Sequence, residues 1–339
     1  MNRRKGTSHA PTAAPRDAAV VVTYRELAPA PAQRGHGRAY FSFTPGGAPP
    51  GRGLGQAWSG RRAVTREVGF TRDESFCAPL FADGHASLVV ELGATCRPGE
   101  GWTSGAPVGA RAIGAFRRVG DDEAGSVRPA MLGVYLEPGA TSTMLRVPAV
   151  ELTDRVVSVD ELWGAPGARL AEELAALDEA ARVERLEAAL LERLRRAPPD
   201  RGRGRAAPRG SVDVRGLARW VRAEPSGMTV GRLAEAAGVS RQHLTRAFRE
   251  AVGVSPKRYC RLARFRAGLV YAGAGAGVPW ARVAAELGYA DQSHMIAEFR
   301  ELSSLTPEML ATQRWFHPFI LDARARHPRS PAPPVRTAI

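Results

Sequence analysis

Two stretches of this chain, AAGVSRQHLTRAF at 236–248 and AELGYADQSHMIAEF at 285–299, follow a single scheme, and no other feature limits the fold as strongly. Leu244 and Met295, Phe248 and Phe299, and the dipeptides Ser255-Pro256 and Thr306-Pro307 are each 51 positions apart, whereas Gly238 and Gly288 are 50 apart. One extra residue in the second turn accounts for the difference. Matches at so many spaced positions mark an internal repeat, so the C-terminal third must build one supersecondary unit twice.

In the first copy, Thr229 caps a short helix over TVGRLAEAAG, with Leu233 and Ala237 inward and Gly238 ending it in the left-handed region. Ser240 caps the next helix, which turns Leu244, Ala247 and Phe248 to one side and Gln242, Thr245, Arg246 and Arg249 away from it. The second copy repeats this with a helix over Trp280 to Leu287, Gly288 at the turn, Asp291 as the cap, and Met295 and Phe299 inward. Each copy ends in the N-cap and first-turn proline of a following helix. Helix, tight glycine turn and polar-faced helix is the helix-turn-helix plan.

Between the copies, PKRYCRLARFRAGLVYA at 256–272 reads as one helix. At about 16 residues it would be roughly 24 Å long, a strut able to set two outward helices near the roughly 34 Å between successive major grooves on one DNA face. Charge agrees with such a partner. The net charge of +14 is unevenly spread: residues 21–196 carry 21 basic and 22 acidic side chains, against 15 and 9 in residues 211–316. The remaining excess lies in the termini and in 197–210. A basic helical repeat calls for a polyanion, here double-stranded DNA.

The motifs GVSRQHLTRAFREAVGVSPKRYCRLARFRAGL (238–269) and VAAELGYADQSHMIAEFRELSSLTP (283–307) resemble the AraC/XylS family of bacterial transcription regulators. PLFADGHASLVVEL, GVYLEPGA and VPAVELTDRVVSVDELWG are similar to the N-terminal domain of one AraC-type subgroup. The resemblance implies an all-helical DNA-binding domain acting in transcription regulation, with RNA polymerase as a further partner. Position by position, it implies that Gln242, Thr245 and Arg246 face base edges and that Arg241 and Arg249 face phosphates. In the second copy it implies base contact by Gln292, Ser293 and His294. Many relatives have arginine where Ala297 stands, and Glu298 beside it adds a negative charge, so the second copy should read bases less strongly. Arg264 should pair with a carboxylate inside the domain, and Phe248, Trp280 and Phe299 should be core.

The expected architecture is multidomain. Residues 1–20 form a basic disordered tail, 21–196 an α+β regulatory or dimerisation domain, and 197–210 a Pro/Gly/Arg linker. Residues 211–315 form an all-α domain with two helix-turn-helix motifs joined by a long helix, and 316–339 a largely disordered extension. The N-terminal part should be strand-rich, on the evidence of VVVTY (20–24), SLVVEL (87–92) and MLGVYL (131–136), and to lack helical periodicity up to 164. Two amphipathic helices broken near Asp178 follow over 167–196. Their leucine stripe fits either a packed face or a seam between two copies.

Nothing in the pattern calls for catalysis or a cofactor. Cys77, Cys96 and Cys260 form no CxxC pair, His36 and His85 belong to no HxH or HExxH spacing, Ser75 sits in no GxSxG elbow, and the glycine runs at 51–55 and 273–279 are loops. Asp83 and His85 read as turn and strand-end residues. No enzyme, metal site or cofactor is expected. The chain lacks a long apolar span or signal core, so a soluble cytoplasmic protein is expected. For the N-terminal domain, sensing of a small-molecule effector and a ligand-free role in protein interaction or homodimerisation stay open; an enzyme fused to a DNA-binding domain is a third reading.

Overall fold

The computed structural model describes residues 20–33, 36–45, 61, 63–70, 86–91, 101–104, 131–153, 155–196, 212–273, 277–303 and 305–312. The expectations for Ser75, Cys77, Asp83, His85, Cys96, the glycine run at 51–55, the segment 197–210 and both termini fall outside these residues.

In the N-terminal half, β1 (Val20–Leu27), β2 (Gly37–Pro45), β3 (Ala63–Phe70), β4 (Ser87–Glu91), β5 (Gly101–Ser104), β6 (Met131–Leu136) and β7 (Val156–Ser158) form one sheet. Their order is β3-β1-β2-β6-β4-β5-β7, and every pairing is antiparallel. The β-branched runs at 20–24 and 131–136, and residues 87–91 of the run at 87–92, thus lie on β1, β6 and β4. Alternation decides the faces. Leu88, Val90, Leu132, Val134 and Leu136 turn to one buried cluster, while Phe41 stacks on Tyr135 at 4.3 Å on the other face.

Helices cover the first face. The expected pair is present as Ala165–Ala176 and Glu179–Arg196, and the break between them is held by Asp178, whose Oδ1 accepts the Ala181 N–H at 2.9 Å. Leu170, Leu174, Val183, Leu186 and Leu190 are all buried against the sheet, so the leucine stripe is a packed face within the chain. The absence of helical periodicity before 164 does not mean an absence of helices: the described residues hold three short α-helices there, α1 (Thr141–Leu145), α2 (Ala149–Leu152) and α3 (Val159–Trp163), and the pair that follows becomes α4 and α5. Each is little more than one turn. Tertiary packing of Met144, Leu145, Leu152 and Trp163 holds them where propensity would not.

The C-terminal half is helical: α6 (Val214–Ala223), α7 (Val230–Ala237), α8 (Arg241–Val252), α9 (Pro256–Ala272), α10 (Trp280–Glu286), α11 (Gln292–Ser303) and α12 (Pro307–Thr312). They share a second buried cluster that includes Phe248, Trp280 and Phe299, as expected of these three. α9 runs through its middle. Tyr259, Leu262, Phe265 and Leu269 are all buried, because helices pack on several of its sides. Phe265 meets Phe299 edge to face at 4.8 Å, and Gly268 admits the Phe299 ring to the α9 backbone. A Cβ at Gly268 would lie 2.5 Å from Phe299 Cζ.

Gly268→Ala should therefore destabilise the protein by about 1 to 3 kcal/mol, an overpacking effect, and Phe299→Leu in the same chain should recover part of it. Denaturant unfolding of the single and double variants checks this, and an unchanged single variant contradicts it.

Candidate nucleic-acid interface

The two copies repeat down to individual backbone hydrogen bonds. At the first turn Gly238 adopts φ +65°, its N–H reaches the Glu235 carbonyl at 3.0 Å, and the Val239 N–H reaches Ala234 at 3.1 Å. At the second, Gly288 adopts φ +74°, its N–H reaches Ala285 at 3.1 Å, and the Tyr289 N–H reaches Ala284 at 2.9 Å. A left-handed glycine ends both helices in the same way. The following helix is capped in each copy: Ser240 Oγ accepts the His243 N–H at 3.2 Å, and Asp291 Oδ1 accepts the His294 N–H at 2.7 Å. Thr229 caps α7 through the Arg232 N–H at 3.2 Å. The additional turn residue sits between Gly288 and Asp291.

α8 buries Leu244 and Phe248, which leaves Arg241, Gln242, Arg246 and Arg249 exposed along the opposite side. Thr245 is half-buried, and its hydroxyl donates to the Arg241 carbonyl at 2.8 Å. The Arg241 guanidinium lies back toward the first turn of α7, 3.2 Å from where a Cβ on Gly231 would stand. α11 buries Met295 and Phe299 and exposes Gln292, Ser293, His294 and Ala297. His294 stands edge-on to the Tyr289 ring, with centroids 5.5 Å apart, and its Nδ1 lies 3.5 Å from the Ala290 N–H.

Glu298 requires a correction. Read as a negative charge beside Ala297 at the interface, it is in fact 3% exposed and turned inward. Its Oε2 accepts from Arg261 Nε at 2.7 Å and from an Arg264 terminal nitrogen at 3.2 Å, while Oε1 accepts from the Tyr289 hydroxyl at 2.9 Å. Arg264 thus has the intradomain carboxylate expected of it. Burial, then the adjacent Glu298 carboxylate, pushes the Tyr289 hydroxyl far above its ordinary range. Glu301, also bound by Arg261, raises that arginine and is itself held below the usual carboxylate range by it.

Sequence reasoning missed Lys257. This exposed residue on the first turn of α9 lines a cleft with Thr229, Arg264, His294 and Ala297 between the two copies. Its signal was its rarity, since the chain has only two lysines, Lys5 and Lys257. Cys260, at the wall of the same cleft, is buried, and burial pushes its thiol up to about 11, so it is no nucleophile at neutral pH. Among the described residues no three His, Cys, Asp or Glu side chains are grouped to hold a metal, and no helix is long and apolar enough to cross a membrane.

Residues 233–313 match the family model of a helix-turn-helix domain. The match takes in both copies and the strut between them. No curated protein matches the chain. Among solved structures, the chain is similar to the C-terminal domain of AraT, a response regulator from Geobacillus stearothermophilus, with TM-score 0.29 and 18% identity over 34% of this chain and 93% of that one. It is also similar to ToxT from Vibrio cholerae O395, with TM-score 0.35 and 8% identity over 69% and 91% of the two chains. Wild-type ToxT of strain SCE256 with bound unsaturated fatty acid gives 0.37 and 7% over 71% and 92%. Scores this low carry neither residue roles nor ligands to this chain.

The Glu298 cluster makes the site sensitive to one buried carboxylate. Removing one partner of a buried pair leaves uncompensated charge, and because Arg261 and Arg264 retain some solvent the loss for Glu298→Ala should sit near the lower end, about 3 kcal/mol. The shift of the urea midpoint reads this directly, and a loss below about 1 kcal/mol, the range of exposed pairs, contradicts it.

Proposed function

We propose that the chain is a sequence-specific DNA-binding transcription regulator of the AraC/XylS type that acts in the cytoplasm, with α8 and α11 entering successive major grooves. One observation carries this reading: two helix-turn-helix units share the buried helix α9, and each presents an exposed polar face on its second helix. A packed strut holds the two faces in a fixed relation, which suits a ligand with a regular repeat. In this reading residues 211–315 bind DNA, 21–196 form the regulatory domain, 197–210 link them, and 1–20 and 316–339 are basic extensions.

Gln242 and Arg246 contact base edges from α8, the Thr245 methyl packs against a thymine methyl, and Arg241 and Arg249 meet phosphates. From α11, Gln292, Ser293 and His294 contact bases. With Glu298 turned inward, the weaker reading by this helix comes from the missing cation at Ala297. RNA polymerase is the expected protein partner through which bound regulator acts on transcription.

Selection of genomic fragments by the full chain at fixed, stated salt tests the function. The expected result is a motif of two segments about one helical turn apart; absence of any enriched sequence overturns the reading. Within that motif, Arg246→Ala should relax preference at a single base pair at a cost of roughly 1 to 3 kcal/mol. Uniform weakening over all sequences would make Arg246 a phosphate contact. Scrambling the segment under α11 should weaken binding less than scrambling the segment under α8, and equal losses would refute the asymmetry.

A further inference from the structure

The cleft between the two copies has one wall from the start of α7, one from α9 and one from α11. His294 and Ala297 belong both to its α11 wall and to the exposed face of that helix, so the cleft opens on the side that α11 presents outward. Two guanidiniums in it, Arg261 and Arg264, meet two carboxylates: Glu298 is bound by both arginines and Glu301 by Arg261. Arg258 adds a longer approach to Glu301 at 3.8 Å. Lys257 is left over. It is exposed, and among the described residues it has neither a carboxylate nor a hydrogen-bond partner. Its place also works against its own helix, because it stands in the first turn of α9, where the helix dipole disfavours a cation and no acidic residue of that turn offsets it.

Two helices in successive major grooves on one face of a duplex leave between them a stretch that shows the minor groove and its two bordering phosphate strands. A cleft between those helices therefore meets sugar and phosphate before it meets base edges. Thr229, on the α7 wall, is equipped for the same ligand. Its Oγ1 accepts the Arg232 N–H at 3.2 Å, which leaves the hydroxyl proton to donate. On the α11 wall, Ala297 occupies the position that Arg246 holds in the first copy, so α11 brings no cation there, and Lys257 borders the same cleft from α9.

We propose that Lys257, together with the Thr229 hydroxyl, holds one backbone phosphate of the DNA stretch between the two read segments, and so supplies from the strut the cation that α11 lacks at Ala297. The inference rests on the DNA-binding reading above. Such a contact fixes register and orientation and carries no sequence information of its own. Its position gives it leverage. α9 is packed on several sides and joins both units, so a phosphate held at its first turn places both recognition helices on the duplex at once.

The test uses the full chain and the duplex that it selects from genomic fragments, titrated between roughly 50 and 200 mM potassium chloride. Lys257→Ala should weaken binding about tenfold at the lower salt, the effect of one charge-assisted hydrogen bond, and equally on duplexes carrying single base changes. It should also reduce the slope of log affinity against log salt by about 0.9, so that the deficit shrinks about 3.5-fold at the higher salt. Lys257→Arg keeps the cation and should keep the parent slope. Duplexes with one neutral methylphosphonate at each position of the intervening stretch locate the contact: one position should weaken the parent chain and leave Lys257→Ala unaffected. An unchanged slope, or no methylphosphonate position coupled to Lys257, overturns the inference, and a shifted base preference overturns it by making Lys257 a base contact. If the parent chain selects no duplex, the DNA-binding reading has failed and this inference falls with it. If it selects one and Lys257→Ala binds it as the parent does, only this inference fails.

Discussion

The buried carboxylate of Glu298 is the constraint on which the geometry of the C-terminal half depends. A lone carboxylate in an apolar interior is prohibitively unfavourable, so its three donors are not free to be elsewhere. Two of them, Arg261 and Arg264, project from the strut α9, and the third, Tyr289, lies in the turn of the second unit. α9, the turn and α11 are thereby pinned at a single point. Phe265, Gly268 and Phe299 add close apolar packing along the same joint. A protein that must present two helices in register needs such a joint, since a small change in crossing angle at α9 displaces the far end of α11.

The first unit solves the same problem differently. The residue 51 positions before Glu298 is Ala247, half-buried and without charge, and Phe248 meets Tyr259 at 5.9 Å. Here apolar packing holds α8 to the strut, and the C-terminal end of α8 is supported from outside by Thr153 and Ala149. The outward faces diverge in the same register. Arg246 has Ala297 as its counterpart, so α8 carries the concentrated positive charge and α11 a largely neutral polar face.

What was legible in the sequence was local. Caps at Thr229, Ser240 and Asp291 and left-handed glycines at 238 and 288 follow from side chains bonding to their own neighbouring backbone, so three or four letters suffice to announce them. The β-branched runs of β1, β4 and β6 are equally self-contained. Helices α1, α2 and α3 were not legible, because one turn is too short to show a period of 3.6 and Pro148 and Gly164 interrupt the pattern. The inward turn of Glu298 was partly visible: it follows Met295 by three positions and precedes Phe299 by one, which places it on the buried side, but its charge argued for the surface. The pairing of Thr153 with Gly253 joins residues a hundred positions apart and has no local signature at all.

These asymmetries point the same way. If affinity for DNA comes mainly from guanidinium groups, it is concentrated on α8. In the proposed reading a neutral α11 and an inward Glu298 have a common rationale: the second unit supplies position and rigidity, and the first supplies most of the attraction for a polyanion.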